Sequence, residues 1–501
     1  MGFDFKIFND SELKEEFVNW LVDEKWVDIN SHFGRLWEYY QNSMLETGVQ
    51  LNESSRTYVQ AQEYGLPARI TGFMRSQAAG MFGGQRLADV QRKEVVIEND
   101  ITWRINALVD FLFGKNVNFI SKSPDEAKRR EIEQIINAVF SANGGIGFFQ
   151  DMAVLGSVYG FVDCLVRPGR TLLERMSLTS ISTSDKHSFD SIVSFASQIS
   201  LELIEAARAL PVLDENDYRS IKYYIQNFYQ QKNDVIREGS FLNRILNSKG
   251  SATNRKRTIV TEILGPTAWQ RYENQELIDE GENPMGRVPV VHIQNIAQPY
   301  FYEGASDVEQ LIPLQDELNT RLSDRANRVT FQSFKMYLAK GIEGFEDRPV
   351  SPGRMWSTDN PDASIEQFGG DGATPSEDNH IAEIRDAMDK TSCVSPVVAG
   401  VLKDRLGNLT SAVALKLTLM GMLAKNERKK FTYGHGVQNI IEMIFDVLDK
   451  AGVYKTTPQE RMVDIVFANP LPDTENDSLQ NAKLKLELGV PQEQVFKELG
   501  Y

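Results

Sequence analysis

The chain has 501 residues, 41% hydrophobic and 25% charged, with a formal net charge of −16. These are globular values, and the length allows two to four domains with a sizeable core. No apolar run reaches the roughly 18 residues of a membrane span, and so acidic a surface repels phosphate, which excludes indiscriminate clamping of nucleic acid. Any nucleic-acid contact would have to be local or deliberately slippery, because each neutralised phosphate adds affinity that motion must break.

The start, MGFDFKIFNDSELKEEF, is acidic where a signal peptide needs a basic start and an apolar core. Lys6 also breaks the myristoylation pattern. Two cysteines, Cys164 and Cys393, cannot build a disulfide framework and read as buried thiols. The expectation is an intracellular protein.

Residues 11–23 and 30–46 are expected to be helical, followed by a polar stretch, 52–96, with weak signals. The apolar run 101–114 predicts a helix stopped by Gly114. In SPDEAKRREIEQIINAVFSANGG, Ser123 is placed as an N-cap, Pro124 at the first helical position and Glu126 as the capping-box partner, with Gly144 as the stop. A helix over 147–159 and a strand FVDCLVR over 161–167 follow. Residues 198–234 read as two helices, and the basic loop around Gly250 as solvated. TIVTEIL (258–264), TAWQRYE (267–273) and VPVVHI (288–293) read as strands, with turns between the second and third.

From Ser306 the pattern changes. Ser306 and Glu309 fit a second capping box, and apolar residues at 308, 311, 318, 322, 326 and 329 trace a helical seam. Pro313 is expected to kink or restart the helix. A helix of about 30 residues spans about 45 Å and needs neighbours along its length. Short strand candidates KMYLA, GRMWS and SIEQF lie within 335–379, and helix 380–391 follows. Two helices thus bracket a small β-rich module, as on a stalk. Beyond the loop SPVVAGVLKDRLGN, residues 409–424 form a helix apolar on almost every side, with Lys416 its only charge and KNERKK directly behind. Such a helix must be covered. A helix over 437–450, a strand over 462–468 and a polar tail complete the chain.

Chemistry is hard to find. No phosphate loop, nucleophile elbow or zinc spacing is present, GGIGFF (144–149) lacks the third glycine of a dinucleotide loop, and five histidines are scattered. His435, between two glycines, reads as a helix-junction residue. The expectation is no enzyme, no catalytic residue, no cofactor and no metal.

The order of the pieces is more telling. GRVPVVHIQNIAQPYFYEGASDVEQLIPLQDELNTRLSDRANRVTFQSF (286–334) resembles the approach to the stem helix of tailed-bacteriophage portal proteins: a G-x-[IV]-P-V-V strand, a G-x-S-D start, then L-x-D-x-x-N-x-x-x-S. IAEIRDAMDKTSCVSPVVAG and LTSAVALKLTLMGMLAKNERKKF resemble the second stem helix, tunnel loop and following long helix, with Ala412 where glycine is usual in S-G-x-A-L-K. The ending VDIVFANPLPDTENDSLQNAKLKLELGVPQEQVFKELG is also similar. The resemblance covers 101–170 loosely and 284–501 well. Residues 171–257 depart from it, reading as Ser-rich and helical where the family has short strands.

The resemblance implies a mixed α+β, mainly helical portal fold assembling into a ring, usually of twelve identical subunits. It divides the chain into a wing (1–304, with 171–257 unassigned), a stem helix (305–334), a clip (335–379), a second stem helix (380–393), a tunnel loop with a long wing helix (394–425) and a crown (426–501). It further implies a virion protein at one capsid vertex, made in the host cytoplasm. Its partners would be double-stranded DNA passing without sequence specificity, the terminase large subunit, capsid or scaffolding protein, and an adaptor or tail protein, with no membrane. Lys403, Arg405, Asn408 and Lys416 are then candidates to face the channel, and Arg348, Arg354 and Trp356 to dock the motor or adaptor. For Lys416 the alternatives are snorkelling or pairing with a neighbouring acid; for the loop residues, an ordinary solvated loop; for Trp356, a small module's own core. A cytosolic scaffold binding partners through helix 305–334 is the competing reading.

Overall fold

The computed structural model describes residues 3–8, 13–42, 96–177, 188–233, 255–333, 336–341, 360–368, 375–400, 416–471, 475–492 and 495–496. In chain order the elements begin with α1 (Glu15–Trp20), a π-helical turn (Leu21–Lys25), α2 (Trp26–Gln41), α3 (Thr102–Phe113), β1 (Asn118–Ser121), α4 (Glu126–Ala142) and α5 (Ile146–Tyr159). Next come β2 (Phe161–Arg167), α6 (Arg170–Ser177), α7 (Phe189–Ala196), β3 (Ser200–Ile204), β4 (Ala209–Leu213), β5 (Ile221–Asn233), β6 (Arg255–Leu264), β7 (Ala268–Glu273), β8 (Glu276–Glu282) and β9 (Val290–Gln294). The remainder is α8 (Ile312–Ser333), β10 (Met336–Lys340), β11 (Ser364–Phe368), α9 (Pro375–Ser392), α10 (Met420–Lys450), β12 (Val463–Val466) and α11 (Glu475–Glu487).

Two compact units emerge. The first takes residues 1–33, 106–306 and 422–501, the second 34–105 and 307–421.

The first unit is built on two antiparallel sheets. One has the strand order β3-β2-β9, the other β4-β5-β6-β7-β8; β1 and β12 form a separate pair. β2 is buried along nearly its whole length, as a strand paired on both edges and covered on its faces must be. The two helices expected over 198–234 are instead β3, a short 3₁₀ turn, β4 and β5. The run IKYYIQNFYQ in β5 is dense in aromatic and β-branched residues, which suit a pleated surface better than a helix. The turn-rich gap expected after β7 contains β8. Its sequence, ELIDEGE, lacks alternation because the strand is exposed along nearly all of its length. Helices expected over 11–23 and 30–46 are one run joined by the π turn, since Val18, Leu21, Val22 and Trp26 all enter one core cluster with Phe8 and Tyr223.

Local caps differ from expectation. Asp125, not Ser123, caps α4, accepting from the Ala127 N–H at 3.0 Å. Ser306 donates its hydroxyl to the Val158 carbonyl at 2.6 Å. A 3₁₀ turn over Glu309–Leu311 gives way to α8 at Ile312, so the helix restarts at Pro313 as expected, in a first turn where a missing N–H has no helical partner to lose.

α10 is the main correction at the C-terminal end. The expected helices over 409–424 and 437–450 are one 31-residue helix from Met420, after a helical turn at 416–418; residues 401–415 lie outside the described set. KNERKK does not interrupt it, because Lys425, Asn426 and Lys429 lie on its buried face. Nor do Gly434 and Gly436 break it, and His435 is an exposed mid-helix residue rather than a junction. At Gly436 a Cβ would sit 2.5 Å from the Ile293 side chain, so glycine is what lets helix and sheet close up.

In the second unit α8 and α9 pack side by side, and β10 and β11 form an antiparallel hairpin between them in the chain. α9 begins at Pro375, five residues before the expected start. Among the described residues no helix is long and apolar enough to cross a membrane.

Candidate functional site

In the second unit, one face of α8 carries a polar ladder. Gln315, Asn319 and Ser323, all buried, accept from the backbone N–H groups of Asp100, Glu98 and Val96, each at 3.0 Å. Four helical residues rise about 6.0 Å, and two extended residues advance about 6.6 Å. The two repeats therefore stay in step over three rungs, and segment 96–100 is laid along the helix as a strand would be along a sheet edge. Asp316, on the neighbouring face, accepts from the Tyr39 hydroxyl at 2.7 Å.

Charge ties the helices together. Arg325 meets Asp378 at 2.7 Å and Arg328 meets Glu377 at 2.6 Å, both from α8 to α9. Arg385 reaches Glu98 at 2.5 Å. Arg104, whose side chain is 2% exposed, lies between Asp100 (3.0 Å) and Asp389 (2.5 Å), with its guanidinium 4.3 Å from the Trp103 ring. The Glu317 carboxyl is lowered by Arg321 and His380 against the desolvation that raises it.

The first unit holds a buried polar cluster. Asp163, fully buried, accepts from Tyr224 at 2.7 Å, from Tyr302 at 3.0 Å and faces His292 Nδ1 at 2.7 Å. Burial, reinforced by the Asp163 charge, pushes both phenols well above their ordinary range, so they remain donors. A His–Asp pair is half of a catalytic arrangement, but the second nitrogen, Nε2, faces the Tyr302 carbonyl at 2.7 Å and leaves no base for a substrate. The adjacent Cys164 thiol is pushed up by complete burial and is no nucleophile. This is an anchoring cluster.

The G-x-S-D stretch sits beside it. At Gly304 a Cβ would lie 2.4 Å from the Gly160 carbonyl, and Gly160 itself has φ +94°, so two glycines cross where no side chain fits. Deeper along α10, Lys429 donates to Ser157 at 2.7 Å, Asn426 to the Phe111 carbonyl at 3.1 Å and Tyr433 to Asn295 at 3.0 Å.

Of the expected site residues, Lys416 alone is described: it lies exposed in the helical turn ahead of α10, with Leu417 and Met420 also exposed. Lys403, Arg405 and Asn408, and likewise Arg348, Arg354 and Trp356, lie outside the described residues, as does the expected strand GRMWS. What the sequence reading missed is the ladder, whose signal is a polar i, i+4, i+8 stripe inside an otherwise apolar seam.

The sequence matches the family described as phage portal protein, SPP1 Gp6-like, over residues 104–500. The chain belongs to that family. Portal proteins of this kind are structural components of the virion rather than enzymes. No curated protein matches the sequence. Among solved structures, the neck of an empty GTA particle computed with C6 symmetry has a TM-score of 0.41 and 9% identity, covering 85% of this chain and 90% of that one. Over 200–233 the chain has strands where the sequence reading placed two helices. Asp316, Asn319 and Ser323 hold Tyr39 and the backbone of Glu98 and Val96 on α8.

Proposed function

We propose that this portal protein forms the ring, of about twelve copies, through which double-stranded DNA enters the capsid and later leaves. The observation that carries the reading is the portal-family match over 104–500, supported by a helix–hairpin–helix unit of α8, β10–β11 and α9. In this reading α8 and α9 are the stem, the hairpin belongs to the clip, 394–425 contains the tunnel loop, and the C-terminal residues form the crown. Leu417 and Met420, exposed in a single chain, would be covered by neighbouring copies. The terminase large subunit would dock on the clip through Arg348, Arg354 or Trp356, an adaptor or tail protein would follow it, and capsid or scaffolding protein would hold the wing. Lys403, Arg405, Asn408 and Lys416 would line the channel, contacting phosphates weakly enough for DNA to slide.

Negative-stain electron microscopy with rotational averaging tests the ring: a particle with a central hole is expected, and a monodisperse monomer at high concentration refutes it. Lys403→Ala, Arg405→Ala and Lys416→Ala should each assemble normally; an unchanged packaged DNA length in all three removes the channel assignment. Deleting 340–375 should leave a ring that the motor no longer binds, and retained binding counts against the clip assignment.

A further inference from the structure

Strand β9 is an edge of the β3-β2-β9 sheet, and its outer side has no partner strand among the described residues. The bonds from Val166 N–H to the Pro289 carbonyl (2.9 Å) and from Asn295 N–H to the Gly160 carbonyl (2.8 Å) show that positions 289, 291, 293 and 295 face β2. Antiparallel alternation then turns the N–H and C=O groups of Val290, His292 and Gln294 outward. Among the described residues no hydrogen bond reaches these backbone groups. They open into a groove of about 740 Å³, walled by Phe431 and His435 of α10 on one side and by Phe301 on the other. Phe431 is 78% exposed and Phe301 60%. Arg219, exposed, and Arg287 also line it; Arg287 already lies between Glu442 (3.7 Å) and Asp446 (3.5 Å), so Arg219 carries most of the groove's attraction for acids. An open strand edge between exposed aromatic rings invites pairing and is normally covered.

The same unit has a second, different edge. β8 ends the five-stranded sheet, exposes Leu277 and Ile278, and carries Glu276, Asp279, Glu280 and Glu282. The Asn283 N–H bond to the Thr267 carbonyl (2.7 Å) sets the alternation so that Glu280 and Glu282 turn outward. A register shift lies at Arg271/Tyr272, and Asp279 accepts from the Glu280 N–H at 3.0 Å. Acids facing acids would repel one another, so charge disfavours pairing of β8 with another β8. An edge bearing arginines has the opposite charge.

We propose that the β9 groove receives β8 of a second copy as an added strand, with Glu282 and its neighbours beside Arg219 and Arg287 and with Leu277 and Ile278 against Phe301 and Phe431. This contact joins two unlike faces of identical chains, so it is heterologous and propagates around an axis instead of closing a dimer. The inference rests on the ring reading and names which surfaces meet in it.

The test uses the full-length assembled protein. Gln294→Cys and Leu277→Cys, combined with Cys393→Ser, should give a ladder of disulfide-linked multimers under mild oxidation, while either new cysteine alone gives none; Gln294 bonds the Phe301 carbonyl (3.0 Å), against which Leu277 is placed. Independently, Arg219→Glu and Glu282→Arg should each raise the concentration needed for assembly about tenfold, with the double variant restored towards wild type. Circular dichroism checks that each variant is folded. Rings that neither link nor respond to Arg219→Glu overturn the strand addition while leaving the ring reading intact. A wild-type chain that stays monomeric at every concentration overturns both.

Discussion

Replacing Arg104 by methionine tests whether charge, rather than packing, holds the segment before α3 to α9. The substitution keeps an unbranched side chain of similar length but removes the cation from between Asp100 and Asp389, whose side chains are 10% and 18% exposed. Deleting one partner of a buried ion pair costs about 3–5 kcal/mol, because the remaining charge is left desolvated. The slight exposure of both acids places the expectation near the lower end, about 3 kcal/mol. Since about 1.4 kcal/mol is a factor of ten, local opening should become about a hundredfold more frequent. Native-state amide exchange over 96–104 and 381–392 reads this directly, with wild type and variant held in the same oligomeric state. Adding Asp100→Asn and Asp389→Asn should recover most of the loss; the amide introduced at position 100 keeps an Oδ1 to accept from Trp103 Nε1, a bond of 2.7 Å in the native chain. A single variant that loses less than about threefold in protection, far below the cost of a stranded buried charge, would refute the argument. So would a triple variant no better than the single.

The other predictions are shorter. Asn319→Leu leaves the Glu98 N–H unpaired on α8 and should cost about 1–3 kcal/mol, read as faster exchange over 96–100 with α5 and β2 unaffected. Gly436→Ala pushes a methyl group to within 2.5 Å of Ile293; a loss of about 1–3 kcal/mol is expected, partly recovered by adding Ile293→Val. The Lys128 ammonium and the Thr457 N–H hold the Glu460 carboxyl down to about 2. Because the folded-state value is depressed, the stability it confers is present above the unfolded carboxylate range and is lost as pH falls towards about 2. The difference in thermal midpoint between wild type and Glu460→Gln should therefore shrink below about pH 4; a difference that grew on acidification would contradict the assignment.

How much of this was legible depended on whether an element's own sequence sets its state. α3, α5 and β2 were readable because each is strongly apolar and clearly bounded, and tertiary context agrees with local preference. β5 was misread because Gln226 and Asn227, on opposite faces of the strand, are both buried and pair across to Glu262 and Thr261; alternation by polarity fails when polar side chains are buried on both faces. β8 was missed for the opposite reason, having no buried face. The break expected at KNERKK failed because Lys429 is buried and finds Ser157, a partner 272 residues away in the chain that no local pattern shows. The cap of α4 was misplaced by two residues: Ser123 fits the capping-box pattern, but Asp125 accepts from the Ala127 N–H.

On the proposed reading, the residues that carry the family resemblance and those of the channel surface are different sets. Gly304 is required because Gly160 crosses it, Ser306 because Val158 needs a donor, and Asn319 and Ser323 because an extended segment must be held along a helix. All of these are contacts within one chain, where geometry tolerates no exchange, so they survive as a readable pattern. A channel wall has the reverse requirement. Any strong, directional contact with DNA would oppose translocation, so its residues need only the right sign of charge at roughly the right radius. A wall of the proposed kind would leave no spacing to recognise in the sequence. It follows that substitutions among lysine and arginine at 403, 405 and 416 should be interchangeable in effect, whereas Asn319 and Gly304 should tolerate no replacement. A packaging defect from Lys416→Arg as large as that from Lys416→Ala would show that the wall reads geometry after all.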